Sequence, residues 1–187
     1  NMSDIWAAVL KEICPSLPAG GRKRTLFFDL ADPEKRTTED IRRALDLILE
    51  FRRYFEVILG LNEKEAHEIA RVLSLDKGDG SKEALAALAR EIHARVPVQT
   101  LVVHPVQYAL CVSQGKLSLV DGLYTTKPRI TTGAGDHFNS GFCLGKLLGM
   151  TDDLALLTGV TASGLYVRTA QSPSLADLAE VLRNWPM

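Results

Sequence analysis

The densest run of chemistry-bearing residues is Ile130-Thr131-Thr132-Gly133-Ala134-Gly135-Asp136-His137-Phe138-Asn139-Ser140-Gly141-Phe142. Two glycines one residue apart allow a turn that other residues resist. A helix that starts behind such a turn offers unpaired N–H groups and the positive end of its dipole, so Gly133, Ala134 and Gly135 are expected to form an anion hole. Asp136 then sits beside whatever anion the hole holds. The same residues also admit a plainer role, an Asp capping a helix after a glycine turn. Three familiar phosphate patterns are absent. No window reads GxxxxGK[ST], Phe138 stands where the dinucleotide fingerprint needs its third glycine, and the protein-kinase catalytic set is missing.

The elements that must position this run follow from periodicity. Residues 3–13 put Ile5, Trp6, Val9, Leu10 and Ile13 on one helical face, with Ser3 available as N-cap, before Pro15 and Pro18 break the chain. Thr25–Leu30 is a strand-length apolar run. Thr37 and Asp40 open a helix carrying Ile41, Ala44, Leu45, Ile48 and Phe51. Phe55–Leu61 is the next strand, and Asn62 with Glu65 forms a capping pair ahead of Ala66, Ile69, Ala70 and Leu73. Ser81 caps a helix that turns Ala84, Leu85, Leu88 and Ile92 inward. Gln99–Val103 is a nearly continuous apolar strand of the kind covered on both faces. Tyr108–Ser113 and Lys116–Asp121 form a hairpin around Gln114-Gly115. Beyond Gly133 the pattern is helical, with Ser174 and Asp177 capping the last helix. Strand alternating with helix implies an α/β fold with a doubly wound, mostly parallel sheet, helices on both faces and the hairpin on one side.

Composition removes other classes. The chain has 187 residues, 46% hydrophobic and 24% charged, with 22 Lys and Arg against 23 Asp and Glu. That excludes disorder and gives no basic arm for nucleic acid. No apolar run reaches the roughly 18 residues of a membrane span. Cys14, Cys111 and Cys143 are widely spaced among apolar neighbours, as expected of reduced thiols in the cytoplasm. His67, His93, His104 and His137 share no metal-binding spacing.

The 130–142 run resembles the second signature of the PfkB family of carbohydrate kinases, DTxGAGD followed by a small-residue helix. Thr131, Gly133, Ala134, Gly135 and Asp136 match it in place, and Phe138, Ser140 and Gly141 suit the helix behind. The Asn62–Glu65 stretch is similar to the family's NxxE motif, which organises the magnesium and phosphate end of the site. The Phe28-Asp29 strand end is a weaker match. The resemblance implies a ribokinase-like fold and transfer of the ATP γ-phosphate to a primary alcohol of a sugar or nucleoside-like small molecule. It implies Asp136 as base, Thr131 and Thr132 at the nucleotide, and Mg²⁺ held through Asn62 and Glu65, which suits an ion that keeps most of its waters. A homodimer is one option for assembly.

The chain departs from the family pattern at four places. Ile130 replaces the opening polar residue, so a monovalent-cation site is not implied. The stretch Val103-His104-Pro105-Val106-Gln107-Tyr108-Ala109 has no glycine where relatives have a glycine loop against the nucleotide. Thr158–Gly164 lacks the usual Asn-Ala-Ala run. No GG-containing first signature occurs; Gly20-Gly21 lies in a Pro-rich, basic linker. The expectation is therefore the C-terminal part of a ribokinase-like kinase domain over 1–187, without the N-terminal substrate and lid part. The alternative is a kinase-like sensor or assembly protein that does not catalyse.

Overall fold

The computed structural model describes residues 2–18, 20, 24–30 and 36–185. Its elements run α1 (Met2–Ala8), a π-turn (Val9–Ile13), a 3₁₀ turn (Cys14–Ser16), β1 (Arg24–Asp29), α2 (Thr38–Phe51), β2 (Phe55–Leu61), α3 (Glu63–Leu73), α4 (Lys82–Arg95), β3 (Thr100–Val103), β4 (Tyr108–Ser113), β5 (Lys116–Asp121), α5 (Ala134–Leu147), α6 (Asp152–Thr169) and α7 (Leu175–Arg183). The five strands form a mixed, mostly parallel sheet in the order β1-β2-β3-β4-β5. This is the expected α/β class. Successive strands are neighbours throughout, so the order contains no reversal. The chain divides into two compact units, Asn1–Val102 with Val112–Lys116, and Val103–Cys111 with Leu117–Met187.

In the first unit, β1 and β2 pair in parallel with Leu26 opposite Val57 and Phe28 opposite Leu59. Val57 to Leu61 and all of β3 are buried, so both faces of these strands are covered. Ile41, Ala44, Leu45, Ile48 and Phe51 of α2 are all buried, as their spacing requires. In α3 the buried face is Ala66, Ile69, Ala70 and Val72, with Leu73 only half-buried. Side-chain oxygens of Thr37, Asn62 and Ser81 accept the N–H three residues on and start α2, α3 and α4.

The N-terminal helix differs from its periodicity. Ser3 lies inside α1 and is buried, not at the cap. Ile5 and Ile13 are exposed, while Leu10 and Cys14 face inward and Trp6 meets Phe28 edge-on at 4.9 Å. The inward stripe Ser3, Trp6, Leu10 and Cys14 keeps helical spacing through the π-turn over Val9–Ile13, but it is rotated away from the expected Ile5 and Ile13 side. Gly21 and residues 31–35 lie outside the described residues.

In the second unit, α5 and α6 pack almost backbone to backbone. A Cβ on Gly141 would lie 2.7 Å from the Thr158 carbonyl oxygen, and one on Gly145 would lie 2.7 Å from Ala155 Cα. Gly159 is small for the same reason, since a Cβ there would lie 2.8 Å from the Phe138 ring of α5. Gly149, which shares the four-residue spacing of Gly141 and Gly145, does a different job. It has φ +73° and ends α5 in a Schellman turn, with Gly149 N–H donating to Lys146 O and Met150 N–H to Gly145 O. Cys111 is fully buried, and burial pushes its thiol up to about 12, leaving it protonated and inert at neutral pH. Among the described residues no helix is long and apolar enough to cross a membrane.

Candidate active site

The Gly133–Asp136 run folds as a helix start. Gly133 is the N-cap of α5 at φ +86°, ψ 0°, a left-handed conformation that L side chains resist. Ala134 N–H turns back to Thr131 O at 3.1 Å, and His137 N–H makes the first helical bond, to Gly133 O, at 3.1 Å. The N–H groups of Gly133, Gly135 and Asp136 have no acceptor among the described residues. Of the three expected anion-hole residues, Ala134 therefore has its N–H engaged, and Asp136 adds one of its own. Asp136 is exposed, and its carboxylate makes no hydrogen bond or ion pair among the described residues. Thr131 and Thr132 are exposed immediately before the turn.

Gly135 differs from Gly133. Its backbone is ordinary helix, and a Cβ there would sit in ordinary van der Waals contact with His104 Cε1 at 3.4 Å. The His104 ring lies against the first turn of α5, stacked on Phe138 at 4.6 Å and 28°. The glycine-free 103–109 stretch thus supplies a side chain to this helix start. Its tip, Val106, is exposed, and Gln107 O accepts Gly122 N–H at 2.7 Å. Farther on, the Arg168 guanidinium donates to the carbonyls of Leu123, Tyr124 and Gly164, fixing the chain that leads into the turn.

Three residues absent from the sequence reading as a group close around Gly133. Tyr166 O–H donates to Thr132 O at 3.1 Å. His137 stacks face to face on Tyr166 at 3.6 Å and 11°. Its Nδ1 lies 2.7 Å from Gly133 O and its Nε2 lies 2.9 Å from Ser172 Oγ. Both ring nitrogens are therefore occupied by protein. Nothing in the spacing of positions 137, 166 and 172 announces this contact, which depends on how α6 returns past the turn.

Asn62 and Glu65 belong to the first unit. They form a reciprocal capping box: Asn62 Oδ1 accepts Glu65 N–H at 2.9 Å and Glu65 Oε2 accepts Asn62 N–H at 2.8 Å. Such a cap is worth about 1 kcal/mol. Glu65 is buried and Asn62 half-buried. Among the described residues no three His, Cys, Asp or Glu side chains gather into a metal cluster. An amide oxygen and a carboxylate are nonetheless the donor types that suit a magnesium ion retaining several waters.

The profile of the family described as prokaryotic ketohexokinase matches residues 1–185. A ketohexokinase from Haloferax volcanii is 25% identical over 178 residues, which are 95% of this chain and 46% of that protein. Among solved structures, ribokinase from Arabidopsis thaliana with ribose and ATP superposes with a TM-score of 0.68 at 18% identity, covering 97% of this chain and 53% of that one. Phosphofructokinase-2 from Escherichia coli, with substrates and products, gives a TM-score of 0.64 at 16% identity, covering 98% and 61%. The chain spans about half the length of the relatives it matches.

Proposed function

This chain belongs to the prokaryotic ketohexokinase family, and from that premise we propose that the protein moves the γ-phosphate of Mg·ATP to a primary alcohol of a ketohexose. The observation that carries the reading is the start of α5. There a left-handed Gly133 leaves three N–H donors without acceptors beside an exposed, unpaired Asp136. Phosphoryl transfer asks little covalent chemistry of a protein and depends on positioning and charge stabilisation. Asp136 takes the hydroxyl proton as the sugar oxygen bonds to the γ-phosphorus. The bond from that phosphorus to the bridging oxygen breaks and ADP leaves. The N–H groups of Gly133 and Gly135 stabilise the negative charge spread over the phosphoryl oxygens. Thr131 and Thr132 are assigned to the nucleotide.

Asn62 and Glu65 are assigned to the waters of the magnesium that arrives with ATP. Their mutual hydrogen bonds hold both oxygens at the end of β2 while capping α3, so the structural and the metal roles are compatible. Because the chain spans about half of its relatives, we assign it the nucleotide-binding and catalytic part of the kinase. Titration of the intact protein with Mg·ATP by calorimetry tests the reading. Saturable heat with a micromolar Kd is expected; no heat up to millimolar Mg·ATP would overturn it.

A further inference from the structure

The contacts around Gly133 fix two consecutive peptide planes. Tyr166 O–H holds the Thr132 carbonyl. In a trans peptide the following N–H points the opposite way, so this bond aims Gly133 N–H away from Tyr166. The next carbonyl, Gly133 O, receives both the backbone N–H and the ring Nδ1 of His137. A carbonyl only accepts, so Nδ1 carries a proton. Nε2 then faces the Ser172 hydroxyl, which donates to a neutral ring and accepts from a charged one, satisfying either state. Tyr166 serves both planes at once, since its ring also stacks on His137. It stands 3.3 Å from where a Cβ on Gly133 would be. Without these bonds a glycine could rotate either peptide at small cost, because it tolerates both signs of φ.

We propose that His137 and Tyr166 are positioning residues for phosphoryl transfer. They hold the 132–134 peptides so that Gly133 N–H stays available to the transferred group and Asp136 stays one helical step away. The proposal rests on the phosphotransferase reading above. Neither residue is assigned contact with substrate: both rings of His137 and Tyr166 are spent on each other, and both their polar ends on protein atoms. Their effect should fall on the transition state, where donor placement counts most, and less on ground-state binding of ATP.

The test compares Tyr166→Phe, His137→Leu and His137→Asn in the intact protein, reading kcat, the KM for ATP and Tm. Tyr166→Phe keeps the stacked ring and deletes only the O–H donor. His137→Leu deletes the Nδ1 donor, and His137→Asn restores an amide N–H near the Nδ1 position. Expected are a fall in kcat of about 10-fold for Tyr166→Phe and about 10- to 100-fold for His137→Leu, with KM changing less than about threefold. His137→Asn should regain most of the loss. Wild-type kcat in both Tyr166→Phe and His137→Leu would overturn the positioning role. So would a His137→Asn variant no better than His137→Leu, with the loss following Tm. If the unmodified protein transfers no phosphate to any sugar, the phosphotransferase reading fails and takes this proposal with it. An active wild type with unaffected variants sinks the proposal alone.

Discussion

Asp136→Asn lowers kcat by roughly 10²- to 10⁴-fold, the range a positioned general base supplies, while Mg·ATP binds as well as before or more tightly. The sign of the binding change follows from charge. A carboxylate beside bound phosphates repels them, and the amide removes that repulsion without filling new space. Stability should move by less than about 1 kcal/mol. The side chain is exposed and has no partner to lose, and only its favourable place at a helix N-terminus is given up. Steady-state kinetics with a thermal melt separates these outcomes. A variant that retains wild-type kcat would remove Asp136 from the base role. One that loses activity and Tm together would make it a structural residue.

The second large effect is on stability. Gly141→Val places three carbons where the nearest atoms, Thr158 O and Ala162 Cβ, already stand 2.7 and 2.9 Å from a single Cβ. Neither neighbour is the far end of a flexible chain, so α5 and α6 must separate or bend. Overpacking of this kind costs about 3 kcal/mol, which for a chain of this size is roughly a 10 °C fall in Tm. Ser140→Ala, one residue earlier on the exposed side of α5, should stay within about 0.5 kcal/mol. Thermal denaturation of the pair checks the packing directly. Equal melting temperatures would contradict it. Because α5 carries the Gly133–Asp136 turn at its start, a shift of this helix should also reduce activity.

Local signals in the chain were enough to place most elements. Phe55–Leu61, Tyr108–Ser113 and Lys116–Asp121 are strands with the expected ends, since short apolar runs bounded by turn residues act over a few positions. Gln114 and Gly115 both take positive φ, the pairing a tight hairpin turn demands. Caps at Thr37, Asn62, Ser81 and Ser174 were legible for the same reason: a side chain reaching three residues along is a short-range event. The turn at Gly133 was legible too, but not its division of labour. Sequence alone treats Gly133 and Gly135 alike, whereas only Gly133 takes a left-handed backbone and Gly135 is ordinary helix in van der Waals reach of His104. That distinction needs the third dimension, as does the closure of His137, Tyr166 and Ser172 around the turn. In the N-terminal helix the period holds, but the inward stripe Ser3, Trp6, Leu10 and Cys14 is not the side marked by Ile5 and Ile13, because packing such as Trp6 against Phe28 decides which side faces in.

The most direct measurement is transfer of ³²P from [γ-³²P]ATP to D-fructose by the intact protein, with and without Mg²⁺. Labelled sugar phosphate that forms only with the metal, and falls to background in Asp136→Asn, is the predicted result. Absence of label on fructose and on every other ketohexose tried, with ATP left unconsumed, would contradict the assignment of the Gly133–Asp136 turn to phosphoryl transfer.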